Sequence, residues 1–206
     1  MTGHTVAICR YGAGNVRSVE LALARLGAEL VDDVEGADLA ILPGVGSARS
    51  AMEGLKERGT DVVLRERHAA GKPILGICLG LQLALDESEE DGGVPGLGLV
   101  PGRAVRLHSE RVPRIGWAII EPVGSDLLRQ SLFRSEPTGV SDVGLRRGGE
   151  AFWFAHSYAA ETEATVATSE GVSAIVEHGS FTGVQFHPEK SGAAGARFLE
   201  RCLSRA

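Results

Sequence analysis

Pro73-Ile74-Leu75-Gly76-Ile77-Cys78-Leu79-Gly80-Leu81-Gln82 is the stretch that decides how this chain folds. Pro73–Ile77 is an apolar run of buried-strand length, and Leu79–Leu85 reads as helix, so the backbone must turn sharply at Cys78. A nucleophilic residue flanked by glycines, G-x-C-x-G, between a strand and a helix has the form of a nucleophile elbow. Glycine is needed on both sides because neighbouring Cβ atoms would collide with the tight turn. The central side chain then stands clear at the carboxyl end of the strand, where open α/β sheets bind their ligands. A free cysteine is otherwise most often a small buried apolar residue. The two glycines and the strand–turn–helix context reverse that expectation for Cys78, whereas Cys9 and Cys202 lack such a context.

On either side of the elbow, the first half alternates strand and helix. Val6–Cys9 is a short apolar strand followed by Tyr11-Gly12-Ala13-Gly14-Asn15, with Asn15 as a helix N-cap. Val16, Val19, Leu23 and Leu26 then form a helical stripe closed by Gly27. Leu39–Leu42 is a second strand, broken by Pro43-Gly44-Val45-Gly46. A helix carrying Met52 and Leu55 runs to near Gly59, and Thr60 caps another that runs to Gly71. Such alternation implies a parallel sheet covered on both faces. The second half instead offers closely spaced strands: Arg103–Leu107, Ile115–Glu121, Ala151–Tyr158, Thr165–Thr168, Val172–Glu177 and Phe181–Phe186. These favour antiparallel pairing. A short helical piece, Asp126–Phe133, interrupts them, and Ser135–Glu150 reads as a polar, glycine-bearing loop. A closing helix opens at Ser191 and carries Phe198, Leu199 and Cys202 on one side. The expected architecture is one domain over residues 1–206, an α/β fold with an open, largely parallel sheet, helices on both faces, and antiparallel strands in the C-terminal half.

Composition narrows the class of function. The 206 residues carry 21 Lys and Arg against 27 Asp and Glu, a formal charge of −6, and no basic stripe suited to nucleic acid. The longest uncharged stretch, Pro73–Leu85, has thirteen residues, short of the ~20 that span a bilayer. The N-terminus shows no basic segment followed by a long apolar core, which argues against a secretory signal. Three widely spaced cysteines fit neither a disulfide framework nor a zinc cluster, so free thiols in a reducing, cytoplasmic setting are expected, with no metal.

A thiol with an ordinary pKa near ~8.5 is only about 3% thiolate at neutral pH. A helix N-terminus contributes up to ~2 kcal/mol but cannot shuttle a proton, so a histidine is required. His4, His68 and His108 sit in polar or terminal contexts expected to be solvated, and His178 stands beside Gly179 at a hairpin turn. His156 shares a strand face with Phe152 and Phe154, which suits a satisfied core or site-wall histidine. His187 ends an apolar strand and precedes Pro188-Glu189. A residue before proline is held extended, so His187 and Glu189 share a face and the carboxylate can fix the ring's tautomer. Cys78, His187 and Glu189 are therefore the candidate catalytic residues. Acyl chemistry also needs oxyanion donors; the Leu79 amide and the Gly44, Val45, Gly46 loop are the candidates.

Three motifs carry a resemblance. Leu42-Pro43-Gly44-Val45-Gly46, the elbow, and Gln185-Phe186-His187-Pro188-Glu189-Lys190-Ser191 are similar to the triad-type, class I glutamine amidotransferases. Tyr11–Asn15, the Val of the Pro-Gly-Val-Gly loop, Gly98-Leu99-Val100-Pro101-Gly102, Gly116-Trp117 and His156-Ser157-Tyr158 narrow the likeness to the glutaminase subunits of imidazole glycerol phosphate synthase, from about Val6 to Phe198. The resemblance implies that Cys78 attacks the glutamine side-chain amide to give a γ-glutamyl thioester, with His187 as base and acid and Glu189 orienting it. It implies that Gln82 and Glu90 hold the glutamine, and that ammonia passes to a (β/α)8 cyclase subunit in a heterodimer. The cyclase turns a phosphoribulosyl-formimino carboxamide ribonucleotide into imidazole glycerol phosphate and aminoimidazole carboxamide ribonucleotide, a step of histidine biosynthesis. Asn15, Trp117, Trp153 and Lys190 then lie near the subunit interface, and no cofactor is implied.

The chain departs from the pattern at Arg10, where an Asp is usual, and at Pro113-Arg114-Ile115-Gly116-Trp117-Ala118, where Pro-His-x-Gly-Trp-Asn is usual. Two alternatives remain open: a glutaminase serving pyridoxal phosphate or nucleotide synthesis, and a catalytically silent binding module of the same fold.

Overall fold

The computed structural model describes residues 3–12, 16–109, 112–123 and 150–206. In chain order the elements are β1 (Thr5–Ile8), α1 (Val16–Arg25), β2 (Glu29–Val31), β3 (Leu39–Leu42), α2 (Ala48–Glu57), α3 (Thr60–Ala69), β4 (Ile74–Ile77) and α4 (Leu79–Ala84). They continue with β5 (Glu87–Ser88), β6 (Val94–Pro95), β7 (Arg103–Arg106), β8 (Arg114–Ile119), β9 (Glu121–Pro122), β10 (Ala151–His156) and β11 (Tyr158–Glu161). The chain ends with β12 (Thr165–Ser169), β13 (Val172–His178), β14 (Phe181–Val184) and α5 (Gly192–Ser204).

The main sheet has eight strands in the order β2-β1-β3-β4-β14-β13-β12-β9. Pairing is parallel from β2 through β14 and antiparallel from β14 outward to β9. Alternation along each strand sends side chains to opposite faces. Leu39, Ile41, Leu75 and Ile77 meet Val19 and Leu23 of α1 and Phe198, Leu199 and Leu203 of α5 on one face. Ala40, Leu42 and Ile74 meet Met52 and Leu55 of α2, Leu64 of α3 and Leu81 of α4 on the other. The helices thus cover both faces, as the strand–helix alternation required. Among the described residues no helix is long and apolar enough to cross a membrane.

Several local expectations change. The Ala151–Tyr158 strand breaks at Ser157: β10 pairs with β8, while β11 joins a separate four-stranded sheet ordered β11-β7-β5-β6. Ile115–Glu121 breaks in the same way at Ile120, leaving β8 beside β10 and β9 at the edge of the main sheet. Strand β2 escaped the sequence reading because its three residues, Glu29–Val31, carry no buried apolar run. Thr60 does not cap α3; Gly59 holds the N-cap position in the left-handed region, at φ 67°, and Thr60 is the first helical residue. His68 is half-buried and stacks on His178 at 5.7 Å, so it is not simply solvated. The helical piece Asp126–Phe133, Asn15, and the loop 135–149 lie outside the described residues.

Candidate active site

Three neighbouring parallel strands bring the candidate residues together. The register pairs Leu42 of β3 with Gly76 of β4, and Ile77 of β4 with Val184 of β14. Their carboxyl ends therefore lie side by side, releasing the Pro43–Gly46 loop, Cys78, and Gln185–Glu189 at one edge of the sheet. The Cys78 amide donates to the Val184 carbonyl at 2.7 Å, which ties the elbow directly to the strand that carries the histidine.

Cys78 adopts φ 54° and ψ −106°, a strained conformation for a residue with a side chain. The surroundings hold it there by collision. A Cβ on Gly80 would lie 1.8 Å from the Leu42 carbonyl oxygen, and one on Gly76 would lie 2.6 Å from the Phe181 ring and 2.9 Å from Gly80 backbone. Both glycines of the elbow are thus sterically obligatory. Leu79 opens α4, so its N–H has no intrahelical acceptor and is available to a developing oxyanion.

His187 takes an extended conformation, φ −103° and ψ 95°, before the short 3-10 turn Pro188–Lys190. Its Nδ1 donates to Glu189 Oε1 at 2.9 Å, with both side chains almost fully buried. Burial by itself disfavours the charged ring. Hydrogen bonds to the Cys78 sulfur and to Glu189 overcome that and raise the His187 pKa to about 9. The ring is thus close enough to the sulfur and to the carboxylate for each to support its charge. Its backbone is fastened as well: the His187 N–H donates to Trp153 O at 2.8 Å, and Ser191 Oγ donates to His187 O at 2.7 Å.

The glycine loop reaches the same place from β3. A Cβ on Gly44 would fall 2.4 Å from Leu79 Cβ and 2.8 Å from Gly80 N, so the loop backbone lies directly against the elbow. Val45 and Gly46 are exposed, and Gly46 has φ 113°, which only glycine adopts without strain. The buried Tyr11 hydroxyl donates to the Pro43 carbonyl at one end of the loop. At the other end Glu90 Oε2 accepts from Ala48 N at 2.8 Å, and Asp91 Oδ2 accepts from Ser47 Oγ at 2.7 Å and from Arg49 N at 3.3 Å. The two acidic residues supplement the N-cap Ser47, whose Oγ accepts from Ser50 N at 3.3 Å, in satisfying the first turn of α2. Burial raises the pKa of Glu90, partly opposed by its bond to Ala48 N–H.

Gln82 is buried, and both hydrogens of its amide are used inside the protein, by Tyr158 O at 2.8 Å and Gln185 Oε1 at 3.1 Å. Only its carbonyl oxygen remains for a ligand. His156 is buried with Nδ1 on Tyr158 O at 2.9 Å, but its Nε2 has no partner, so it is only half satisfied. Trp117 and Trp153 pair edge-on at 5.9 Å across β8 and β10, and Lys190 is exposed next to the triad. Arg10 pairs with Glu20, while Arg114 pairs with Glu170 at 3.1 Å and lies 4.6 Å over the Phe154 ring. The sequence reading missed Tyr11, Ser191 and Gln185. The signal for Gln185 was a polar residue inside the apolar run Phe181–Phe186, since a buried amide must find partners.

The family description Glutamine amidotransferase class-I matches residues 5–206. The chain is 42% identical to the imidazole glycerol phosphate synthase subunit HisH of Symbiobacterium thermophilum, over 94% of this chain and 91% of that one. It is 38% identical to the subunit of the same name from Oceanobacillus iheyensis, over 95% and 96% of the two chains. Among solved structures, one described as a glutamine amidotransferase superposes with a TM-score of 0.73 at 20% identity, covering 98% of this chain and 99% of the other. PurLQS from Thermotoga maritima superposes with a TM-score of 0.70 at 18% identity, over 100% and 99%. At those identities the superpositions speak for the fold, while the full-length family match and the closer relatives speak for descent: the chain belongs to the class-I glutamine amidotransferases.

Proposed function

We propose that this chain is the glutaminase subunit of an imidazole glycerol phosphate synthase, acting through one domain over residues 1–206. The single observation that carries the reading is the meeting of the Cys78 sulfur, the His187 ring and the Glu189 carboxylate at the ends of adjacent parallel strands. Cys78 attacks the side-chain amide carbon of glutamine as His187 takes the thiol proton. The tetrahedral oxyanion is received by the Leu79 amide and by the amides of the Gly44–Gly46 loop. His187, favoured in its charged form by its two partners, then protonates the departing nitrogen, and ammonia leaves a γ-glutamyl thioester. Water activated by the same ring releases glutamate. The substrate's α-ammonium pairs with Glu90 and its carbonyl-seeking groups with Gln82. No metal or organic cofactor enters this scheme.

The ammonia passes to a (β/α)8 cyclase partner in a cytoplasmic heterodimer, in histidine biosynthesis. Support for a partner comes from the surface beside the triad. Ile115, Trp117 and Ile119 of β8 are 62%, 57% and 47% exposed and form one apolar stripe next to Trp153. A contiguous exposed apolar patch of this kind marks a protein interface. Lys190 is exposed next to Glu189, and Asn15 falls outside the described residues. Neither a basic groove for nucleic acid nor a membrane anchor belongs to this reading.

The test is a glutaminase assay of the chain alone, with the cyclase, and with the cyclase plus its nucleotide. The expected result is slow turnover alone, stimulation in the loaded complex, and complete loss in Cys78→Ala. Stimulation by a synthase from another pathway, with none by the cyclase, would overturn the assignment.

A further inference from the structure

Beside the triad, two further groups touch the sulfur: the Ala155 carbonyl, which accepts from Cys78 Sγ at 3.8 Å, and a side-chain amide. Gln185 is fully buried just past β14, and its Nε2 lies 3.5 Å from Cys78 Sγ. The two ends of a glutamine amide look alike, so the direction of this bond must be read from the surrounding network. That network starts at a group with no ambiguity. The Tyr158 carbonyl oxygen can only accept, and it receives Gln82 Nε2 at 2.8 Å and His156 Nδ1 at 2.9 Å. Burial holds His156 neutral, with a pKa lowered to about 4, so its one ring proton is committed to that carbonyl. The NH2 end of Gln82 is therefore fixed, and its second hydrogen points at Gln185 Oε1, 3.1 Å away. With its oxygen so occupied, Gln185 must turn its own NH2 end to the sulfur. Reversing either amide would set two donors, or two acceptors, against one another in a buried site, a costly arrangement.

We propose that Gln185 is a further catalytic residue, donating an amide N–H to the Cys78 sulfur so as to stabilise the thiolate and fix its direction of attack, with Gln82 and the Tyr158 carbonyl as the positioning groups that set its polarity. A hydrogen bond to a charged acceptor is stronger than one to the neutral thiol, so the contact favours the ionised, reactive form. It also supplies what the histidine cannot. His187 must give up and take back a proton in each cycle, whereas the Gln185 donor is constant. The elbow already strains the Cys78 backbone, and the donor holds the side chain to one side of it. This assignment rests on the glutaminase reading for its role in turnover, but the state of the sulfur can be measured without any substrate.

The experiment is the pH dependence of Cys78 carboxamidomethylation by iodoacetamide in the full-length chain, followed on the Cys78 peptide by mass spectrometry. It is run for wild type, Gln185→Met, Gln185→Glu and Gln82→Met, with glutamine turnover of each in complex with the cyclase. Removing a donor to a charged group is expected to move the alkylation midpoint up by about one to two pH units in Gln185→Met, and at least as far in Gln185→Glu. Gln82→Met, which frees Gln185 to rotate, shifts it in the same direction by less. In Gln185→Met kcat falls roughly ten- to hundredfold with KM little changed. Gln82→Met keeps the test open should the Gln185 variants fail to fold. An alkylation midpoint that stays in place, or moves down, in every variant that folds overturns the proposal. Absence of glutamine turnover in the wild-type complex would instead defeat the glutaminase reading and leave the alkylation result standing by itself.

Discussion

The two glycine-bearing loops that meet at the sulfur are built in opposite ways. In the elbow, Gly76, Cys78 and Gly80 are all buried, and added Cβ atoms on the glycines meet backbone or a buried ring at 1.8 to 2.6 Å. Nothing there can move without unpacking the sheet. The Pro43–Gly46 loop is gripped by Tyr11 on Pro43, by the packing of Gly44 against the elbow, and by Glu90 and Asp91 on the first turn of α2, while Val45 and Gly46 face outward. The proposed nucleophile is thus held in place in advance, whereas the proposed oxyanion donors sit on a short span tied at both ends. A partner that alters glutamine turnover has far more to act on in the second loop than in the first.

Gly80→Ala should disturb the elbow most severely. The added methyl meets the Leu42 carbonyl oxygen, so destabilisation above about 4 kcal/mol is expected, read as a collapse of the thermal unfolding midpoint. Retention of a wild-type midpoint would show that the elbow is not rigid. Next comes Glu189→Gln, which leaves the packing intact but removes the carboxylate that supports the ring charge. Glutamine turnover should fall roughly 10²- to 10⁴-fold, and the alkaline limb of its pH profile should move down from about 9. The same variant carries a stability signature. The ring's pKa is higher folded than unfolded, so its stabilisation is complete below pH 6.5 and is lost as pH rises through about 9. Urea unfolding across that interval should show a shallower loss for Glu189→Gln than for wild type.

A smaller effect separates the loop from the elbow. Asp91→Ala removes acceptors for Ser47 and Arg49 at the start of α2 and loosens one end of the oxyanion span. In the cyclase complex kcat should drop about tenfold at nearly constant KM, since displacement of a preorganised donor acts on the transition state. An effect on KM alone would detach Asp91 from the loop's function. Smallest of all is Val45→Ala, at the exposed centre of the span. It should alter unfolding free energy by no more than about 0.5 kcal/mol, and a larger loss would mean that the centre is as tightly held as the elbow.

Short-range constraints made much of the site readable from the chain. The elbow is legible because two glycines and the apolar runs around Cys78 admit one local geometry. The His187–Glu189 pairing is legible because Pro188 holds the residue before it extended. Interactions set by chain segments far apart were not legible. Gln185 carries no local signature beyond being polar in an apolar run, and its partners Gln82 and Cys78 lie 103 and 107 residues away. The grip of Glu90 on α2 joins residues 42 apart, and its local sequence, Ser-Glu-Glu-Asp, reads as an ordinary solvated turn. Strand β2 failed for a related reason: at an edge with two exposed residues, its pairing to β1 comes from a neighbour rather than from its own pattern.

By itself, then, the order of residues determined the secondary elements around the candidate site and pointed to the proposed nucleophile and to the histidine with its carboxylate, because each follows from steric limits acting over a few bonds. Only the tertiary structure decided which strand lies beside which, and hence that the loops after β3, β4 and β14 open onto one sulfur. It alone decided the polarity of the amide network on that sulfur, because a buried amide takes its direction from partners that folding, and not sequence proximity, brings within hydrogen-bonding range.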